Sequence, residues 1–208
     1  MKEYIGAKFQ TIFLGKDILR VPKINELKKW GKKFSEMGFI PHYKNEKESD
    51  RLSSAGNLSF RHNNGFIITA SYSDLANLRD EDFVEVKNVD LKQKKIWVNG
   101  TKEPSSETML HHAIYQKRSD INAIFHGHWQ ELLENYKKLG LKSTVYSAPY
   151  GSLKLVNSVI EVLDNENFLI MIDHGFLSFG TSIDNAGKIV LDISQKLKDS
   201  MSYVKLIL

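Results

Sequence analysis

The chain contains no cysteine among its 208 residues. A disulfide framework and a cysteine-ligated metal site are therefore excluded, and any metal must be held by histidine and carboxylate side chains. The chain also lacks a long apolar segment, because its longest apolar run, residues 168–172, is far shorter than the roughly 20 residues that span a bilayer. These absences direct attention to the seven histidines and predict a cytoplasmic protein without a membrane partner.

Strong charge of one sign is also missing. The formal net charge of +4 comes from lysines that are spread along the chain in short clusters such as Lys28 and Lys29. No basic tract with interleaved aromatic residues is present, so a nucleic-acid partner is not predicted. The hydrophobic fraction of 41% and the charged fraction of 26% are typical of a globular protein, and the length suits one domain.

Hydrophobic periodicity predicts helices before and after a central group of strands. Predicted helices cover residues 25–37, 105–118, 153–163 and 184–204, and predicted strands cover residues 57–61, 65–69, 83–86, 95–98, 123–128 and 168–172. The first four strands form a β-meander. We therefore predict one α/β domain over residues 1–208, with three layers in which a mainly antiparallel or mixed sheet lies between helices. Residues 1–50 form an N-terminal extension with a helix packed on the domain, and the charged residues 45–50 form a loop.

Three histidines stand at the ends of two predicted strands. His126 and His128 end one apolar strand, and the two-residue period of a strand places both imidazoles on one face. His174 follows the second strand at a turn, which is where sheet proteins often carry functional side chains. Three neutral imidazoles leave one position open on zinc, an arrangement typical of catalytic zinc. Each histidine taken alone is also consistent with an ordinary polar residue in a turn.

The predicted helix at residues 105–118 begins with a polar cluster. Glu107 lies just inside a cap formed by Ser105 and Ser106, where free backbone N–H groups attract anions. An acidic residue in the first turn is consistent with ordinary helix capping, and two hydroxyls at a helix N-terminus are also consistent with a phosphate site. His111 lies one turn after Glu107 on the same face, where packing on the helix surface is the simpler interpretation. Asn57, at the start of a strand, offers a further amide donor.

Five segments in this order resemble the class II aldolase/adducin family, particularly its fuculose-phosphate-type zinc aldolases. They are GNLSFR, GFIITAS, EPSSETMLHHAIYQKRSDINAIFHGH, PYGSLKL and DHGFLSFG, and the resemblance covers residues 56–185. The resemblance implies a sheet flanked by helices, a homotetramer with its active site at a subunit interface, and a bound Zn²⁺ or another divalent transition metal. It implies that the ion is held by His126, His128 and His174, that Glu107 is the acid/base, and that phosphate is bound by Asn57, Ser71, Ser105 and Ser106.

The activity implied by the resemblance is that of a zinc-dependent lyase, an aldolase that cleaves a ketose phosphate through a metal-stabilised enediolate. A +2 ion that binds the carbonyl and the adjacent hydroxyl oxygen stabilises that anion by several kcal/mol, and Glu107 moves the proton. Two alternatives belong to the same family, a sugar-phosphate dehydratase and an epimerase, although the epimerases typically carry aspartate at the position of Glu107. The third alternative is a non-catalytic adducin-like interaction domain, which lacks the metal-binding residues found here.

The chain departs from the family pattern in three places. Related sugar-phosphate aldolases usually place a glycine after the small residue that matches Ser71, whereas this chain has Tyr72. A tyrosine there either blocks the approach of backbone to phosphate or contributes its own hydroxyl. The segment between His128 and His174 is short for a sugar-phosphate aldolase, and the first fifty residues match no family motif. The identity of the substrate therefore stays open.

Overall fold

The computed structural model describes residues 8–44 and 52–207, with side chains up to residue 202. The predicted loop at residues 45–50 lies outside the described residues. The described elements, in chain order, are β1 (Gln10–Gly15), α1 (Ile24–Glu36), β2 (His42–Lys44), β3 (Leu52–Ser54), β4 (Gly56–His62), β5 (Gly65–Thr69), β6 (Phe83–Asp90), β7 (Lys95–Asn99), α2 (Thr108–Lys117), β8 (Ala123–Gly127), α3 (Gln130–Asn135), α4 (Leu153–Val162), β9 (Phe168–Met171), β10 (Gly175–Gly180) and α5 (Ile183–Ile207).

Eight of the strands form one sheet in the order β1-β7-β6-β5-β4-β8-β10-β9. Every neighbouring pair is antiparallel except β1 and β7, which are parallel. The predicted meander corresponds to β4 through β7, and the predicted mainly antiparallel sheet is confirmed. Strands β8 and β10 continue the sheet from β4, so the chain segments that carry His126 and Asn57 are direct neighbours.

Helices cover both faces of the sheet, as predicted. On one face α1 and α5 bury Leu27, Phe34 and Val190 against the sheet. On the other face α2 and α4 bury Ile114 and Val159. Alternation along the strands divides their side chains between the two cores; in β5, for example, Ile67 belongs to the first core, whereas Phe66 and Ile68 belong to the second. The three-layer arrangement follows directly from this alternation.

Several elements were not predicted. Strand β1 lies at the sheet edge and its residues are at most partly buried, so its sequence shows no clear alternation. Strand β10 begins directly after a turn and is buried along its whole length. Its sequence therefore lacks the alternation of buried and exposed residues that indicates a strand. Strands β2 and β3 are only three residues long, and α3 has six residues. In the described part of the chain, none of the helices is both long enough and apolar enough to span a membrane.

Candidate metal and acid–base site

The three predicted histidine ligands lie together at one end of β8. His126 is inside β8, His128 follows that strand directly, and His174 lies in the turn between β9 and β10. The ring centroids are separated by 4.8 Å, 5.1 Å and 5.0 Å, so the imidazoles form a nearly equilateral triangle. One nitrogen from each ring can be chosen so that all three lie within 4.8 Å of one another. The structure thus brings together the three side chains that the strand pattern singled out.

The His126 ring is held in one tautomer by the backbone. Its Nδ1–H donates to the carbonyl oxygen of Phe176 over 2.8 Å, and a carbonyl can only accept. The proton of the neutral ring therefore sits on Nδ1, and the lone pair of Nε2 faces His128 Nε2 at 3.0 Å. A backbone carbonyl that orients a histidine in this way is typical of metal-ligating imidazoles. The Phe176 carbonyl could not be found from the sequence, because a backbone group leaves no side-chain signal.

Gly175 makes room for this arrangement. A Cβ at this position would lie 2.4 Å from the carbonyl oxygen of Gly127 and 2.8 Å from Cε1 of His126. Any larger residue would therefore displace the His126 ring or separate β8 from β10. Gly127, between the two ligands, is equally constrained, since a Cβ there would lie 2.6 Å from the Phe39 carbonyl oxygen. The backbone of Gly127 therefore lies close to that of Phe39.

Glu107 places its carboxylate among the imidazoles. Oε1 lies 3.0 Å from Nε2 of His174, and Oε2 lies 3.2 Å from Nε2 of His126. Oε2 also accepts a hydrogen bond of 3.2 Å from Nδ2 of Asn57. Glu107 is itself the N-cap residue of α2, and its side chain makes no capping bond to the helix. The interpretation of this carboxylate as a capping group inside the first turn is therefore wrong.

The helix begins later than predicted, and this explains the position of Glu107. The Ser105 hydroxyl accepts a hydrogen bond of 3.3 Å from the Glu107 amide, and the Ser105 carbonyl accepts one of 3.0 Å from the Thr108 amide. These bonds form a tight turn before α2 starts at Thr108. The hydroxyl of Ser105 therefore satisfies an N–H of the preceding turn, and the Glu107 side chain is released toward the histidines.

Electrostatics in the cluster favour a carboxylate beside neutral rings. Burial raises the pKa of Glu107, but attraction from His126 and His174 outweighs burial and holds this pKa well below its usual range. Burial lowers the pKa of His126, and burial together with the neighbouring His126 lowers the pKa of His128 well below its usual value. The lowered pKa values of His126 and His128 favour their neutral rings, and a divalent cation binds histidine in this neutral form.

The donor set fits a divalent transition metal. Zinc binds imidazole nitrogen at about 2.0–2.1 Å, so two ligand nitrogens at a tetrahedral angle are roughly 3.3 Å apart, close to the 3.0 Å between Nε2 of His126 and Nε2 of His128. Three imidazoles without cysteine suit zinc and other metals that favour nitrogen. His126, His128 and His174 could hold such an ion, with the carboxylate of Glu107 beside two of these rings.

The four residues predicted to bind phosphate are all connected to the segment around Glu107. Ser105 and Ser106 directly precede Glu107, and Asn57 and Ser71 form hydrogen bonds to this segment. Ser71 Oγ donates to the Pro104 carbonyl over 2.9 Å, next to Ser105. Asn57 uses one amide N–H for Glu107, and its Oδ1 is buried without a hydrogen-bond partner among the described residues. Ser106 is buried one residue before Glu107. Phosphate binding by this group stays a prediction.

Tyr72 adopts a backbone conformation that favours glycine. Its φ is +61°, in the left-handed region, where a non-glycine residue costs about 1–2 kcal/mol. The Ser53 hydroxyl donates to the Tyr72 carbonyl over 3.0 Å and supports the turn. Tyr72 therefore has a backbone conformation that favours glycine, the residue that related aldolases usually carry here. The substitution of tyrosine for glycine adds an aromatic side chain to the turn after β5.

His111 is not on the helix surface, contrary to the sequence interpretation. It is fully buried, and its Nδ1 lies 2.7 Å from Oγ of Ser59. Ser59 Oγ also lies 2.8 Å from the hydroxyl of Tyr115. Burial lowers the pKa of His111 to about 3, so the ring is neutral at physiological pH. The prediction failed because α2 is packed between the sheet and α4 and has almost no exposed face.

The burial of His111 predicts an acid-sensitive contribution to stability. The unfolded chain protonates His111 below about pH 6.5, whereas the folded chain does so only near pH 3. The unfolded state therefore binds more protons, and the free energy of unfolding should fall by about 1.4 kcal/mol per pH unit below pH 6.5 from this residue alone. Denaturant unfolding of the metal-free protein at pH 7 and pH 5.5 measures the slope. His111→Leu should show a smaller slope, and an unchanged slope would contradict the prediction.

A family model described as "Class II Aldolase and Adducin N-terminal domain" matches residues 51–195. The L-fuculose phosphate aldolase of Methanocaldococcus jannaschii is 32% identical over 149 residues, which cover 65% of this chain and 77% of that protein. A methylthioribulose-1-phosphate dehydratase of Pseudoalteromonas translucida is 34% identical over 105 residues, 50% of this chain and 42% of that protein. Relatives with two reaction types therefore share this sequence region.

A solved structure of an L-fuculose 1-phosphate aldolase has the same fold. It superposes with a TM-score of 0.70 at 23% sequence identity and covers 91% of this chain and 89% of its own. The superposition extends beyond the residues that the family model matches. It confirms the predicted fold class, a mixed sheet flanked by helices.

Proposed function

The chain belongs to the class II aldolase and adducin family and is an enzyme of it, and on this premise we propose that it is a metal-dependent lyase that cleaves a ketose phosphate. The observation that carries the proposal is the position of Glu107. Its buried carboxylate lies 3.0 Å and 3.2 Å from nitrogens of two of the three clustered imidazoles, although helix capping would have directed it elsewhere. A group that transfers protons belongs next to the site where the substrate's reacting oxygens bind.

His126, His128 and His174 would hold the ion, which we propose to be zinc. When bound, a divalent cation supplies Lewis-acid stabilisation of the negative charge that develops on the substrate oxygens as the carbon–carbon bond breaks. The histidines contribute neutral nitrogens, so none of the ion's charge is cancelled by its ligands. The Phe176 carbonyl fixes the orientation of His126, and the close contact at Gly175 keeps this ring in place.

Glu107 would carry the proton that the reaction moves. Its low pKa keeps it ionised and ready to accept a proton from the substrate. Burial acts on this pKa in the opposite direction, so a carboxylate that moves away from His126 and His174 becomes more basic within the same buried site. Asn57 Nδ2 donates to Oε2, and Oε1 lies 3.0 Å from Nε2 of His174. We therefore assign proton transfer to Glu107 and its orientation to Asn57.

The site supports an aldolase better than the alternatives. A glutamate at position 107 counts against an epimerase, and the intact histidine cluster counts against a non-catalytic adducin-like domain. A dehydratase remains the second candidate, because the Pseudoalteromonas translucida relative is named as one. NMR analysis of products from a panel of ketose phosphates separates the two reactions. Release of dihydroxyacetone phosphate or glycolaldehyde supports the aldolase, whereas loss of water without a shorter product supports the dehydratase.

Phosphate recognition is proposed for Asn57, Ser71, Ser105 and Ser106, and Ser106 offers the cleanest test. Ser106→Ala should raise KM for a phosphorylated ketose about tenfold or more, since a hydrogen bond to a charged group contributes roughly 1.5–3 kcal/mol. KM for the dephosphorylated sugar should hardly change. Steady-state kinetics with both sugars give the comparison, and Ser158→Ala, a buried serine on α4, is the control. Equal changes for both sugars would mean that Ser106 does not contact phosphate.

Two further parts of the proposal are a cytoplasmic location, which was predicted from the sequence, and a homotetramer with the active site at a subunit interface, which the family resemblance implies. One feature of the surface supports the interface. Val145 and Tyr146 are exposed by 69% and 36%, and they precede the loop in which Gly151 approaches the backbone of Ser106. Exposed apolar side chains are typical of surfaces that another subunit covers.

A further inference from the structure

Strand β4 meets helix α2 through polar side chains, although the layer between the sheet and this helix is otherwise apolar. Leu58 and Phe60 join the core on the opposite face of the sheet. The alternating residues of β4 point to α2, and all three are polar: Asn57, Ser59 and Arg61. The neighbouring strand β5 presents Phe66 and Ile68 to the same layer. Strand β4 therefore carries a polar stripe where its neighbour is apolar.

Each residue of this stripe contacts a successive turn of α2. Asn57 donates to Glu107 at the start of the helix over 3.2 Å. Ser59 contacts His111 and Tyr115 in the middle, at 2.7 Å and 2.8 Å. Arg61 lies at the C-terminal end, where its guanidinium donates to the carbonyl oxygens of residues 115, 118 and 121 over 2.5 Å, 2.9 Å and 2.6 Å. A cation at this end of a helix is also favoured by the helix dipole.

The spacings of the two elements match. Two residues of a strand advance by roughly 6.6–6.8 Å and four residues of a helix by about 6 Å. Residues 57, 59 and 61 therefore pair with residues 107, 111 and 115 in one register, with both segments running in the same direction. Apolar contacts alone are not directional and allow a helix to slide, whereas hydrogen bonds require donor and acceptor to meet within a few tenths of an ångström.

Stability alone does not explain a histidine at position 111. Its Nε2 is buried without a hydrogen-bond partner among the described residues. An unsatisfied buried polar atom is destabilising, and an apolar side chain of similar size would avoid this penalty. The neutral state of the ring, with its pKa lowered to about 3, allows it to bond Ser59 without placing a second positive charge near the metal ligands.

We propose that the polar stripe of β4 sets the position of α2 along the sheet, and that His111 is a positioning residue for the carboxylate of Glu107. This inference rests on the proposed function, in which Glu107 transfers the proton. His111 lies one helical turn from Glu107, and its amide donates to the Glu107 carbonyl over 3.1 Å. The contacts that Glu107 makes with Asn57, His126 and His174 all span 3.0–3.2 Å, so a small shift of the helix would break them.

The test compares His111→Leu with His111→Asn in the zinc-loaded protein, with L-fuculose 1-phosphate as substrate. His111→Leu should lower kcat about tenfold, less than the 100-fold cost of a full 1 Å misplacement. KM should stay within about twofold of the wild-type value, and the zinc content should be unchanged. The melting temperature should equal or exceed that of the wild type. Asparagine can place an amide atom close to the position of Nδ1, so His111→Asn should restore most of kcat. Ser59→Ala, which removes only a hydroxyl, should lower kcat in the same direction.

A matched control distinguishes positioning from general loosening of the helix. Ile114→Ala removes a fully buried side chain from α2 without touching the polar stripe, and it should lower the melting temperature more than His111→Leu but kcat less. A kcat loss in Ile114→Ala as large as that in His111→Leu would overturn the inference.

The double variant that combines His111→Leu with Glu107→Gln provides the decisive comparison. A residue that acts through Glu107 should have no further effect on kcat once that carboxylate is gone. If His111→Leu slows the Glu107→Gln enzyme as much as it slows the wild type, His111 does not act through Glu107 and the inference is wrong. If Glu107→Gln itself leaves kcat unchanged, the proposed function fails and the inference falls with it.

Discussion

Replacing Glu107 with glutamine is expected to lower kcat by about 10²–10⁴-fold, the usual loss when a general acid/base is removed. Glutamine preserves the size of the side chain and can still bond Asn57, but it cannot accept a proton at neutral pH. The bound metal should remain, because the three histidines supply its ligands. Steady-state kinetics and metal analysis of the same preparation measure both effects.

The control for Glu107→Gln lies four residues earlier in the chain. Glu103 is exposed, and its carboxylate accepts a hydrogen bond from Thr11 outside the histidine cluster. Glu103→Gln changes the net charge by the same amount and should leave kcat within about twofold of the wild type. If Glu107→Gln retained full turnover, the proton would have to be carried by another group, and the sequence pattern points to Tyr72 as the next candidate.

Replacing His126 with alanine is expected to abolish both metal binding and turnover. Loss of an outer-shell partner typically lowers metal affinity 10–100-fold, and loss of a direct ligand should exceed that range. The fold should persist, since the core around β8 is built by Ile124 and Phe125, and the variant leaves these unchanged. Metal analysis after dialysis, together with circular dichroism, tests this expectation.

His112→Ala is the matched control for the metal site. His112 is on α2 and half-buried, and it is not part of the histidine cluster. This variant should keep the metal content of the wild type. A His126→Ala protein that still held one ion per chain would show that His126 is not a ligand.

The sequence predicted those parts of the fold whose signals are local. The meander from β4 to β7 was found because its short apolar segments are separated by clear turn formers. The limits of β5 coincide with the predicted residues 65–69. The imidazoles of His126 and His128 were placed on one side because a strand has a period of two. Both predictions needed only neighbouring residues.

Other features depend on contacts between distant parts of the chain. Strand β1 pairs with β7 more than 80 residues later, with Gln10 opposite Lys95, and no local pattern encodes such a pairing. The sequence alone is consistent with Glu107 as a capping residue. Its contact with His174, which lies 67 residues later in the chain, exists only in the folded protein. His111 was placed on the correct helix face, but that face is buried against β4, where Ser59 contacts His111 from 52 residues earlier in the chain.

The central claim is that one divalent ion, held by the histidine cluster, is required to cleave a ketose phosphate. A titration tests it most directly: metal-free protein receives increasing amounts of Zn²⁺, and product release from the ketose phosphate that the wild type cleaves in the product panel is followed at each step. The account predicts no release without metal and a linear increase that stops at one ion per chain. Equal release before and after removal of metal by a chelator would contradict it.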